Sequence, residues 1–89
     1  MLTVTEAAYV HLAEMLKRQE APDNVAIRFV HEGERIALRP DSAHPDDITL
    51  QHEGRLVLLM GTDVSELLTE HRLEVDGTKL ALLYLGEDE

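Results

Sequence analysis

Between Ala8 and Leu16 the chain repeats apolar residues at helical intervals. Ala8, Leu12, Met15 and Leu16 fall on one stripe, the pattern of an amphipathic helix packed on a core. Thr5 is placed to cap this helix, and Glu6 follows it on the favourable side of the helix dipole. Val4 before the cap and Tyr9 inside it have the spacing of a hydrophobic staple. Lys17 and Arg18 lie where cations are favoured, with Glu14 set to pair with Arg18. Pro22 in "APDN" stops the helix.

From Val25 the period changes to two. Val25, Ile27 and Phe29 share one face of a strand, and Ile36 and Leu38 share one face of the next. The intervening "HEGE" is a hairpin turn in which Gly33 takes a left-handed conformation. "RPDSAHPDD" reads as a loop, with Pro40 and Pro45 as its breakers. "ITLQ" and "RLVLLM" are strands joined at Gly54. The run Leu56 to Met60 is apolar on both faces, so it predicts a central, covered strand. "GTDVSELLTEH" is a short helix with Thr62 as its cap and Asp63 in its first turn. "RLEV" and "KLALLYL" are the last strands, joined at Asp76-Gly77. The predicted order is α-β-β-β-β-α-β-β, in one domain spanning residues 1–89, with residues 85–89 as a frayed acidic tail.

Composition narrows the function. The chain has 89 residues and no cysteine, which removes disulfides, thiolate nucleophiles and cysteine-bound metal. Its net charge is −10, so it repels phosphate backbones and anionic membranes; a protein with a basic patch is the matching partner. The surface carboxylates expected to steer that partner are Asp41, Asp46 and Asp47 in the proline loop and Glu87, Asp88 and Glu89 in the tail. No apolar run approaches the ~20 residues needed to span a bilayer. The N-terminus has no basic region followed by an apolar one, and the expected location is the cytoplasm.

No enzymatic constellation emerges. Ser42 and Ser65 have no histidine at a telling spacing, and there is no glycine-rich phosphate loop. Asp46 and Asp47 are adjacent in an extended segment, so their side chains diverge. His11, His31, His44, His52 and His71 include no pair at helical zinc-site spacing. The expectation is therefore a non-enzymatic chain with no cofactor and no resident metal. The alternative is a small iron- or metal-binding protein with His31, Glu32, Glu34 and His52 as ligands, provided the two hairpins that carry them are neighbours.

The order of elements also carries a resemblance. "LTVTEAAYVHLAEML", "PDDITLQHEGRLVLL" and "GTDVSELLTEHRLEV" resemble, in sequence order, segments of the HesB/IscA, or A-type iron–sulfur carrier, family. The resemblance covers nearly the whole chain through order and spacing, and its individual motifs are weak. It implies an α+β, HesB-like fold: a short opening strand, one long N-terminal helix, one short helix, and a twisted mixed sheet with partly barrel-like strands. The family holds iron or a cluster through three cysteines, one after the second strand and two in a Cys-Gly-Cys near the C-terminus. Here the first position corresponds to a shortened "HEGERIAL", and Tyr84-Leu85 is followed by "GEDE". No family ligand is carried over. The resemblance extends to the cysteine-free A-type domains of some bacterial Nfu-type scaffold proteins. It thus implies a protein-binding or accessory module linked to iron–sulfur assembly.

Overall fold

The computed structural model describes residues 2–86. Glu87, Asp88 and Glu89, to which the sequence reading assigned a steering role, lie outside the described residues. The elements are β1 (Thr3–Val4), α1 (Glu6–Arg18), β2 (Val25–Glu32), β3 (Arg35–Ser42), β4 (Ile48–His52), β5 (Arg55–Met60), α2 (Thr62–Leu67), β6 (His71–Asp76) and β7 (Lys79–Tyr84). They make two mixed sheets. One is three-stranded in the order β1-β6-β7, the other four-stranded in the order β3-β2-β5-β4. Each contains one parallel pair, β1 with β6 and β2 with β5. Among the described residues no sheet closes on itself, so the architecture is α+β with two open sheets and no closed barrel.

Helix α1 forms as its stripe requires. The Thr5 hydroxyl accepts from the Ala8 N–H at 3.2 Å, which satisfies one of the donors that a helix N-terminus leaves free. Ala8, Leu12 and Leu16 have no exposed surface, and α1 packs on β5, β6 and β2. Strand β5 is internal, and Val57, Leu58, Leu59 and Met60 are all buried. Two layers explain this unbroken run. Leu58 joins the core cluster with Leu12, Leu16 and Ile27, whereas Leu59 points to the other face, in register with Arg28.

Three details depart from the sequence reading. Strand β3 continues through Pro40 to Ser42, leaving only residues 43–47 as loop. Pro40 fits there because β3 is an edge strand, where a missing N–H breaks no inner ladder. The N-cap of α2 is Gly61, not Thr62, and it makes no side-chain cap bond. The element order read from periodicity lacked β1, the short opening strand that the family resemblance alone implied. Two residues show no period, and only the parallel register of Thr3 with Arg72 and Val4 with Leu73 makes them a strand. Gly33 does take the left-handed conformation, with φ +62°, and nothing lies within 4 Å of where its Cβ would be. Its constraint is conformational, since the space is open.

Candidate functional site

The topology separates the four residues considered as metal ligands. Strand β2 is parallel to β5, with Ile27 opposite Leu58, and β4 runs antiparallel to β5, with His52 opposite Arg55. The turn at Gly33 and the turn at Gly54 therefore point to opposite ends of the sheet. At ~3.3 Å per residue, His31 and His52 are roughly 20 Å apart along the strands. His52 instead stacks on Tyr9, with centroids 5.7 Å apart and an interplanar angle of 13°. Its Nε2 lies 3.8 Å from carboxylate oxygens of both Glu6 and Glu53. Glu32 pairs with Arg39 along the hairpin. Among the described residues no group of three or more His, Asp and Glu side chains is placed to hold a metal ion.

Two of the carboxylates assigned to partner steering are engaged within the fold. Arg28 rises from β2 on the face shared with Leu59. Its Nη1 and Nη2 donate to the two oxygens of Asp47 at 2.9 and 2.6 Å, and its Nε donates to Asp41 Oδ2 at 2.6 Å. The Ser42 carbonyl accepts from Nη2 as well, at 3.1 Å. The Asp47 side chain is only 5% exposed and that of Arg28 13%. Asp47 Oδ2 also accepts from the His44 N–H at 2.7 Å. The hydrogen bonds from Arg28 draw the Asp47 carboxyl down to about 2 and hold Asp41 below its usual value, while Arg28 is itself raised. Asp46 remains exposed. Sequence spacing missed this network because β2 and the 41–47 segment meet only through the long β3 hairpin. Asp41 and Asp47, held by Arg28, clamp the segment onto the sheet.

The other face of the β2–β3 hairpin is open. A groove of about 420 Å³ lies between the hairpin end, α2 and the three-stranded sheet, lined by His31, Glu34, Ile36, Leu67, His71 and Leu82 with Leu68 at its base. A smaller hollow of about 110 Å³ continues it between Leu38 and Leu80, and the two share Ile36 and Leu82. Both bounding strands, β3 and β7, are sheet edges. Leu67 is 48% exposed and Leu38 40%. His71 at the rim packs against Tyr84, with ring centroids 5.1 Å apart. His31 and Glu34 thus belong to the rim of this apolar groove. It was not legible in the sequence, because Val64, Leu67 and Leu68 share one helical apolar pattern and only the structure leaves Leu67 exposed beside buried Leu68.

Comparison with known proteins agrees on the fold. Over 91% of this chain and 80% of the other, the structure is similar to that of Escherichia coli SufA, described as involved in biosynthesis of iron–sulfur clusters; the TM-score is 0.54 and the sequence identity 22%. The fold is SufA-like. No family model matches the sequence, and no curated protein does. No helix among the described residues is long and apolar enough to cross a membrane.

Proposed function

We propose that this chain is a non-enzymatic, cysteine-free relative of the A-type iron–sulfur carriers, acting as a protein-binding or accessory module in iron–sulfur cluster assembly. The observation that carries the reading is the combination of a SufA-like fold over nearly the whole chain with a sequence that contains no cysteine. Clusters are held by soft thiolates, and imidazole with carboxylate is a poor replacement for all of them at once. Docking then remains as a task that the scaffold can perform. The net charge of −10 favours a partner with a basic surface and disfavours nucleic acid and anionic membranes. The cytoplasm is the compartment we assign.

The test has two arms. Anaerobic incubation with iron and sulfide, followed by desalting, should leave neither stoichiometric metal nor a visible charge-transfer band. A stable cluster or bound iron on this chain would favour the metal-binding alternative. Purified scaffold and carrier proteins of iron–sulfur assembly, presented one at a time, should include at least one that binds. Failure of all of them would remove the assembly link.

A further inference from the structure

We propose that the groove between the β2–β3 hairpin and β7 is the docking site for a partner segment that pairs an apolar side chain with a lysine or arginine. This rests on the protein-binding reading above and names the surface and the chemistry it selects. Ile36, Leu67 and Leu82 provide the apolar walls, and Leu67 is nearly half exposed where a folded chain gains by covering it. No lysine or arginine lines either part of the groove. Glu34 stands in its wall. Glu66 and Glu70 flank Leu67, Leu68 and His71 in sequence and are exposed. None of these three carboxylates has an ion-pair partner among the described residues. The last turn of α2 carries no base to offset the negative end of its dipole. An apolar anchor in the groove would therefore bring a neighbouring cation against unpaired carboxylates.

Charge also separates the possible occupants. A second copy of this chain would bring a further net charge of −10 and the same carboxylate rim, so like charges oppose self-association. A basic, apolar segment meets both features of the groove.

The probe is a short fluorescein-labelled peptide alternating lysine and leucine, with lysine–serine and glutamate–leucine peptides of equal length as controls. Binding is read by anisotropy and located by amide chemical-shift changes on the labelled protein. The lysine–leucine peptide should bind with shifts centred on Glu34, Leu67 and Leu82. Leu67→Ser should weaken it about tenfold, the scale of one lost apolar contact. Glu34→Gln with Glu70→Gln should weaken it about threefold and flatten its salt dependence; this second variant keeps the test valid should Leu67→Ser fold poorly. The proposal is overturned by shifts on another face, by equal binding of the lysine–serine peptide, or by unchanged affinity in either variant. Dimerisation seen in sedimentation and abolished by Leu67→Ser would assign the groove to a second copy and overturn it as well. An assembly protein that binds elsewhere on the surface would remove the groove while leaving the proposed function standing.

Discussion

The two sides of the β2–β3 hairpin are finished differently. On one, Arg28 draws in Asp41 and Asp47, and the 43–47 loop is tied down over the sheet beside buried Leu59. On the other, Ile36 and Leu38 face Leu80 and Leu82 across a groove that no element among the described residues covers, with Leu67 exposed at its end. The closed side uses charges in fixed geometry, whereas the open side leaves apolar surface next to unpaired carboxylates. Features that looked like a recognition surface in the sequence, the proline-loop aspartates, belong largely to the closed side. The face with surplus apolar area and free charge lies elsewhere.

The sharpest way to break this contrast is to remove the cation of the closed side. Arg28→Met should destabilise the fold by about 3–5 kcal/mol, because it leaves Asp47 buried without its partner. Denaturant unfolding measures this, and a loss under about 1 kcal/mol would mean that the clamp is a surface decoration. Leu58→Ala, on the core face of β5 opposite the Arg28 side, should cost about 2–5 kcal/mol by opening a cavity beneath α1. A value typical of a surface site, about 0.5 kcal/mol, would contradict its complete burial.

A pH series sharpens the comparison further. The Asp47 carboxyl is drawn from its ordinary 3.8 to about 2, so the folded state favours the charged form. That stability is fully present above pH ~4 and is lost as pH falls toward ~2, amounting to about 2 kcal/mol. Asp47→Asn should be less stable than the parent at neutral pH, and the gap should close across that acid window. A gap that stays constant from pH 5 to about pH 2 would show that the Asp47 carboxyl is not depressed. The smallest effect belongs to the open side. Leu67→Ser should change stability by only about 0.5 kcal/mol or less, since the side chain is already half exposed. A thermal shift beyond a few degrees would show that the groove supports the fold itself.

Much of this could be read along the chain because it is local. The helix stripe Ala8–Leu12–Leu16, the Thr5 cap, the hairpin glycines and the apolar run Leu56 to Met60 follow from periodicities of 3.6 and 2 and from turn chemistry. Each depends on residues within a turn or a strand of one another. The expected loop from Arg39 to Asp47 was too long because proline usually breaks a strand, and only the edge position of β3 tolerates it. The candidate ligands His31 and His52 looked alike in the sequence, each beside a glycine turn. Their separation depends on β5 pairing parallel to β2, a choice made by packing between segments some thirty residues apart.

The sequence alone therefore determined the element types, the core-facing positions, the absence of thiolate chemistry and the acidic balance, because each is set by residue identity and short-range repetition. The tertiary structure decided which acids are consumed by Arg28 and which leucines find no cover. Those outcomes depend on where strand edges end and which loop reaches which face, and neither is written in any local period.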